Sequence, residues 1–331
     1  MRKRYDAVGI GNAIVDVLGR VDDAFLEANG VEKGVMTLID TRRAAALYDA
    51  MGPAREVSGG SAANTIAGLG MLGARAAYVG KVRDDQLGRI FAHDIRAIGV
   101  DFETPMAPAE GGEEETGRCL VLVTPDGERS MNTYLGVSAH LAPSDIDRDL
   151  VADAAWLFLE GYRFDGPDSQ QAMRAAVRAA RDAGGRVALT LSDPFCVERH
   201  LDAFRAMVRD DVDLLCANEA ELRALYRTDD LERCMETAAG EVAQVACTVG
   251  PDGAWMLEGE GRTHVPAVPA ERVDATGAGD LFAAGLLAGL AAGRDLVTAG
   301  RMGCVAAAEI IGHIGARPER DLRTLMRDAG F

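Results

Sequence analysis

The sequence predicts a doubly wound α/β fold, a mostly parallel central sheet flanked by helices, with a small β-sheet set apart from it as a lid. Three observations predict it. Short apolar runs alternate with amphipathic ones through the middle and end of the chain. Apolar runs of strand length separated by helices read as parallel strands joined by right-handed crossovers and buried on both faces. Finally, two further β-like segments have no helix between them and therefore do not belong in such a core.

Taken in order, a first strand runs into GIGNAI (9–14), and IVDVLGRV (14–21) then alternates like a second strand instead of opening a helix. SGGSAANTIAGLGMLG (58–73) supplies a glycine turn, Ser61 as a cap and a helix of small residues. GRCLVLVT (117–124) and RSMNTYLG (129–136) are joined by Pro125, Asp126 and Gly127, which make a hairpin turn. The acidic GGEEET (111–116) leads into that pair. Strands of the small sheet are thus expected from about 12–40 and 112–137. WLFLEGY (156–162) precedes a helix from about Ser169 to Ala183, and RVALTLS (186–192) precedes one from about Val197 to Val208. VDLLCANEA (212–220) leads into another helix, QVACTVG (244–250) follows as the next strand, and VDATGAGDLFAAGLLAGL (273–290) ends in an apolar helix. No internal repeat or low-complexity linker is visible.

Composition narrows the partners. With 331 residues, 48% hydrophobic and 26% charged, the chain has the balance of a soluble globular protein. A net charge of −17 argues against nucleic acid or an anionic membrane as the main partner, since either polyanion is repelled over the whole surface. The six cysteines form no CxxC pair and the five histidines no HxxxH or HxH group, so a reducing cytoplasm fits better than a disulfide or zinc framework. The apolar run after MRKR is too brief for a signal segment, and Leu281 to Ala292 reaches only about half a membrane span.

Four motifs carry chemistry. GIGNAI is not a dinucleotide fingerprint, because Ile14 stands at the third glycine and a strand follows. No Walker A pattern occurs either. In SGGSAANT, Gly59 and Gly60 read as a tight loop, and Asn64, one turn into the helix, could hold a substrate hydroxyl. ANEAEL (217–222) is nearly a capping box with Asn218 as N-cap and Glu221 at N3; the same pair could order waters around a phosphate-bound Mg²⁺. CTVGPDGA (247–254) spaces Thr248, Gly250 and Gly253 so that backbone and hydroxyl can approach an anion, although a hairpin turn would look the same. In VDATGAGDL, Gly277, Ala278 and Gly279 open a helix whose free N–H groups suit a phosphate. Asp280 beside them is either a carboxylate favoured by the helix dipole or the base that accepts the proton of an attacking hydroxyl.

With those residues assembled, the chain resembles the ribokinase-like, or PfkB, carbohydrate and nucleoside kinases. DATGAGDLFAAGLL looks like the family's C-terminal signature and SGGSAANT like its N-terminal one, while ANEAEL and TVGPDG are similar to its Asn/Glu and nucleotide-loop motifs. Their order extends over essentially the whole chain, which implies one ribokinase-like kinase domain over 1–331. Within the family the adenosine kinase branch is the most similar, through GNAIVDVLGRVDDAFL with Asn12 and Asp16, TGRC (116–119), LTLSDPF (189–195) and DLLCANEAE (213–221). The resemblance implies that Asp16 binds ribose hydroxyls with Asn12, Gly59, Gly60 and Asn64 close by. Asp280 is implied as the base for the 5′-hydroxyl and Gly277, Ala278 and Gly279 as the anion hole. Asn218 and Glu221 would organise Mg²⁺ through water, Thr248, Gly250 and Gly253 would line ATP, and Arg129 matches a basic position near the phosphates. Asp274 and Thr276 could offer carbonyls to a monovalent cation such as K⁺, which is left open. The sequence departs from the family pattern at Ala275, at Ile66, and at Arg163, which follows Tyr162 where a second aromatic would stack on a purine.

The expected activity is ATP-dependent phosphorylation of a nucleoside's primary hydroxyl, adenosine to AMP first, in cytoplasmic purine salvage. Ile14, Met36, Met131 and Thr133 of the lid would supply contact for a base. A sugar kinase for ribose, fructose or a keto-sugar acid is the alternative, and a nucleotide-binding regulator without catalysis is a more distant one. The expected partners are small molecules and ATP, with neither nucleic acid nor membrane, in a monomer or homodimer.

Overall fold

The computed structural model describes residues 3–112 and 114–331, so Met1, Arg2 and Glu113 of the GGEEET stretch lie outside the described residues. In chain order the strands are β1 (Tyr5–Ile10), β2 (Ile14–Arg20), β3 (Met36–Leu38), β4 (Ala54–Gly59), β5 (Ala76–Val79), β6 (Thr116–Val123), β7 (Arg129–Gly136), β8 (Ala154–Glu160), β9 (Arg186–Thr190), β10 (Leu214–Asn218), β11 (Gln244–Thr248), β12 (Ala254–Glu258) and β13 (Gly261–Val265). The helices are α1 (Asp23–Ala28), α2 (Thr41–Ala50), α3 (Ser61–Met71), α4 (Gln86–Ala97), α5 (Arg148–Ala152), α6 (Pro167–Asp182), α7 (Pro194–Arg199), α8 (Leu201–Asp211), α9 (Glu219–Tyr226), α10 (Leu231–Glu241), α11 (Ala278–Ala291), α12 (Leu296–Ile310) and α13 (Leu322–Asp328).

Among the described residues, eight strands form the main sheet in the order β13-β12-β11-β10-β9-β8-β1-β5. It is parallel from β5 to β11, and β12 and β13 extend it antiparallel at one edge. The apolar runs are buried on both faces, as the doubly wound class requires. On β8, Leu157 and Leu159 join the cluster that includes Val177 of α6, Phe204 of α8 and Leu222 of α9. Their neighbours Trp156 and Phe158 join the opposite cluster with Ile66 of α3, Phe91 of α4 and Leu286 of α11. All six cysteines are buried free thiols. Among the described residues no helix is long and apolar enough to cross a membrane.

The second sheet has the order β3-β7-β6-β2-β4. Its outer face packs Val17, Leu120 and Leu122 on Leu26 of α1 and Leu47 of α2, while the other face carries Ile14, Cys119 and Val121. Four of its strands come from the expected stretches. The fifth, β4, lies outside both and pairs antiparallel with β2, Asp16 opposite Val57. Its sequence AREVSG is exposed at its start and carries little alternation, so only its partner reveals it as a strand.

Two local expectations are corrected, and one alternative left open is decided. Gly60, with φ 94°, and not Ser61, is the N-cap of α3. A Cβ at that position would come 2.1 Å from Asn12 O, so both conformation and space demand glycine. The helix expected from about Val197 to Val208 is two helices, α7 and α8, broken at His200, whose Nε2 lies 2.8 Å from Asp165 Oδ1. The segment CTVGPDGA does not lead from a strand into a helix; it is the turn between antiparallel β11 and β12.

Candidate active site

The small sheet and the carboxyl ends of the main sheet face each other across a cavity of about 430 Å³. Its floor is where α3 and α11 meet. Asp280 sits in the first turn of α11, after Gly277 at N-cap with φ 81°. A side chain on Gly277 would meet Ala316, 2.9 Å from its Cβ. The Ser61 hydroxyl donates to Asp280 Oδ1 at 2.6 Å and Asn64 Nδ2 donates to Oδ2 at 2.9 Å. Ser61, freed from the cap, therefore holds the carboxylate instead. Burial pushes the Asp280 carboxyl up to about 6, against the pull of those two donors and of Arg317. The result is a fixed carboxylate that can take a proton near neutral pH.

Asp16, from β2, lines the same cavity. Burial raises it to about 7; Arg317 and Arg129 pull it down and Asp280 pushes it up. Gly59 lies behind it: a Cβ there would sit 2.4 Å from Asp16 Oδ2. Around them the small sheet supplies Ile14, Met36, Leu38, Cys119, Met131, Thr133 and Leu135. Met36 is the register partner of Met131, and Leu38 that of Thr133, which gives the cavity one continuous, mainly apolar wall. The expected substrate residues Asn12, Asp16, Gly60, Asn64, Met36, Met131 and Thr133 all line it, while Gly59 backs it.

Asn12 is held there by several side chains. Its Nδ2 donates to Glu160 Oε1 at 2.7 Å, and its Oδ1 accepts from Ser138 Oγ at 2.9 Å and Arg163 Nη1 at 2.5 Å. The Oδ1 is doubly engaged and one Nδ2 hydrogen is spent on Glu160, so these bonds fix the orientation of Asn12 in the cavity floor that it lines. Glu160, 1% exposed, also accepts from the N–H of Ala62 at 2.8 Å in the first turn of α3. Burial raises its carboxyl to about 7. Arg163 is equally buried and bonded to Ser138 and Ser169, which explains its departure from an aromatic: it is the counter-charge of Glu160, not a stacking surface. Sequence reasoning missed this pair. The available signal was a charge closing the buried run WLFLE.

Arg129 and Asp274 form a buried ion pair. Asp274 also accepts from Thr276 N–H and Gly315 N–H, each at 2.9 Å. Arg129 thus ties β7 of the small sheet to the loop before α11 while lining the cavity, and it supplies the counter-charge of the Asp274 carboxylate. Asp274 and Thr276, named for a monovalent cation, line the cavity. In the anion turn, Ala278 N–H is engaged by Ala275 O at 3.2 Å, whereas a Cβ on Gly279 would meet nothing within 4 Å. Arg317, which no motif singled out, donates from Nε to Ser58 O at 3.0 Å.

Of the expected nucleotide residues Arg129 lines this cavity, whereas Asn218, Thr248, Gly250 and Gly253 do not. Asn218, at the end of β10, and Glu221 form a closed capping box: Asn218 Oδ1 accepts from Glu221 N–H at 2.9 Å, and Glu221 accepts from Asn218 N–H at 2.9 Å and Nδ2 at 2.8 Å. Glu221 is buried, and burial with the charges of Asp193 and Asp280 raises its carboxyl to about 7. These are oxygen donors of the kind Mg²⁺ takes, and a third residue of that type, Asp193, caps α7 nearby. Among the described residues no group of three or more His, Cys, Asp or Glu side chains gathers to chelate a metal alone, so the set fits an ion held mainly by phosphate and water. Thr248, Gly250 and Gly253 lie at the β11–β12 turn.

Comparison with known proteins bears on the family and the fold. Residues 46–322 match the model of the pfkB family carbohydrate kinases. The structure is similar to that of the adenosine kinase from Sinorhizobium meliloti, with TM-score 0.94 and 48% identity over 99% of this chain and 100% of that one. It is equally similar to a probable sugar kinase protein from Rhizobium etli, with TM-score 0.94 and 46% identity over 99% of both chains. The adenosine kinase of Saccharomyces cerevisiae is 28% identical over 93% of this chain and 95% of its own length.

Proposed function

The chain belongs to the pfkB family of carbohydrate kinases, and on that premise we propose that it phosphorylates the 5′-hydroxyl of a nucleoside, adenosine first, at the expense of ATP. As a member of that family it is a phosphotransferase with an alcohol as acceptor. The observation that carries the nucleoside reading is the division of the cavity: carboxylates Asp16 and Asp280 at the floor, and a mainly apolar wall of Ile14, Met36, Leu38, Met131 and Leu135 above them. A free sugar leaves such a wall without a partner, whereas a base fills it. The likeness to the S. meliloti adenosine kinase supports the same reading, and the likeness to the R. etli probable sugar kinase makes the acceptor the point to test.

Asp16 takes the ribose hydroxyls and so aims the 5′-oxygen at Asp280. Asp280, its oxygens oriented by Ser61 and Asn64, accepts the hydroxyl proton. The oxygen–γ-phosphorus bond forms as the bond from γ-phosphorus to the bridging β,γ-oxygen breaks, and ADP leaves. Gly277 and Gly279, at the mouth of α11, offer N–H groups and the positive end of the helix to the moving charge. Asn218 and Glu221 would order the waters of a Mg²⁺ carried in with ATP, which would supply partial neutralisation of the phosphate charge. Closure of the small sheet excludes water that would otherwise compete for the phosphoryl group.

The deciding experiment is Mg-ATP-dependent ADP release from the purified protein, measured against a panel of nucleosides and sugars. Adenosine or another nucleoside is expected to give the highest kcat/KM. A preference of about tenfold or more for a free sugar, roughly 1.4 kcal/mol in the transition state, overturns the nucleoside reading.

A further inference from the structure

Arg317 makes no ion pair among the described residues, although it lies beside two carboxylates of the site. It stands in the loop between α12 and α13, and that loop is anchored on every side. Gly315 N–H is held by Asp274 at 2.9 Å, Ala316 packs against Gly277, and Glu309 Oε1 accepts from Glu319 N–H at 3.0 Å and Arg320 N–H at 2.9 Å. The guanidinium is held as firmly: Nε donates to Ser58 O at 3.0 Å, and Nη2 is buried without a hydrogen-bond partner. A buried donor left unmet is costly, and a protein retains one where a charge nearby compensates.

The backbone supplies that charge. Ser58 O belongs to β4, next to Gly59, over whose Cα the Asp16 carboxylate lies. One residue further, Gly60 caps α3, whose Ser61 and Asn64 hold Asp280. The guanidinium therefore sits behind the two-glycine turn that separates the carboxylates. We propose that Arg317 is a positioning residue of the phosphoryl-transfer site, the shared counter-charge that allows Asp16 and Asp280 to stand ionised side by side. This rests on the reading of those two residues as the ribose ligand and the base.

The other charges around the pair do not replace it. Asp16 faces Asp280 and Arg129 as well as Arg317, and the Cys119 thiol faces Asp16. Arg129 is already neutralised by Asp274. Asp280 faces Arg317 as its cation, with the Glu221 carboxyl and the Tyr162 hydroxyl in range. Arg317 itself faces Asp16, Tyr78, Asp94 and Asp280, and Asp94 accepts from Ser58 Oγ at 2.7 Å.

The test uses the whole protein as Arg317→Gln, which keeps a donor for Ser58 O and removes the charge, and as Arg317→Lys, which keeps the charge. Carboxyl ¹³C titrations, assigned with Asp16→Asn and Asp280→Asn, need no acceptor. Arg317→Gln is expected to raise both midpoints, and the acid limb of kcat/KM, by about one pH unit, a tenfold loss on the acid side that fades at alkaline pH. Arg317→Lys is expected to restore most of it. Midpoints unmoved in a folded Arg317→Gln protein overturn the proposal. Should that variant fail to fold, Arg317→Lys decides: midpoints near those of the unsubstituted protein support the counter-charge, and midpoints displaced despite the retained charge overturn it. Absence of nucleoside phosphorylation by the unsubstituted protein would refute the acceptor assignment, and the titrations would still judge Arg317.

Discussion

The acceptor half of the site, between the small sheet and α3, and the nucleotide half, along the ends of β10 and β11, use the same residue types in contrasting ways. Asp280 is held by Ser61 and Asn64, 219 and 216 residues away in the chain. Glu221 is held by Asn218, three residues away. In the first case folding brings carboxylates into a cavity where burial lifts them to about 6 and about 7. In the second a helix end satisfies itself before any partner arrives. Burial lifts Glu221 to about 7 as well, so the lesson is that both halves carry an electrostatic cost, offset around Asp280 by partners remote in the chain and around Glu221 by a neighbour.

The largest effect that would sharpen this contrast is at Asp280. Asp280→Asn keeps the shape and a hydrogen-bonding group but removes the base, so kcat is expected to fall by about 10²–10⁴-fold with KM for ATP little changed. ADP release under saturating ATP measures it, and near-normal turnover would break the assignment of chemistry to the acceptor half.

A smaller effect probes the other half. Glu221→Ala removes one arm of the capping box and is expected to lower stability by about 1 kcal/mol, read by urea unfolding. The Mg²⁺ concentration for half-maximal rate should rise in the same variant while KM for the nucleoside stays put. A shift in nucleoside KM with no change in Mg²⁺ dependence would show that the halves are not separate.

The smallest effect is thermodynamic. Asp16 stands at about 7 against an ordinary 3.8, so between those values the native state keeps a proton that the unfolded chain has released. The stability tied to this group is complete below about pH 4 and is lost as pH rises through about 7. Asp16→Asn, which cannot ionise, should therefore melt about 2 °C above the unsubstituted protein at pH 8, with the difference shrinking towards pH 5. A variant that melts lower at pH 8, by calorimetry in the absence of ligands, would contradict the cost assigned to this half.

The contrast also governs what could be read in advance. Strands such as WLFLE and RVALT were legible because their apolar runs are buried on both faces, and the Asn218–Glu221 box because its partners are neighbours. Asp16, Asn64, Asp280 and the glycine turns were found as motifs, yet not their mutual contacts. Glu160, and its pairing with Arg163, escaped notice, since both depend on Asn12, 148 residues from the former and 151 from the latter. Arg317 had no sequence signal at all: an arginine in a polar loop looks solvated until Ser58 and Asp16 are placed beside it. The same reason explains why Ser61 was taken for a cap.

Periodicity, capping pairs and obligatory glycines act over a few residues, so they survive without knowledge of the fold, and they suffice for the doubly wound sheet and the hairpin of the small sheet. Charge compensation, desolvation and the face a strand turns to a cavity depend on distances in space between residues remote in the chain. The pairing of β4 with β2, the engagement of Asn12 and Arg129, and the guanidinium shared by two carboxylates therefore came into view only with the chain folded, because each is a property of neighbours that folding creates.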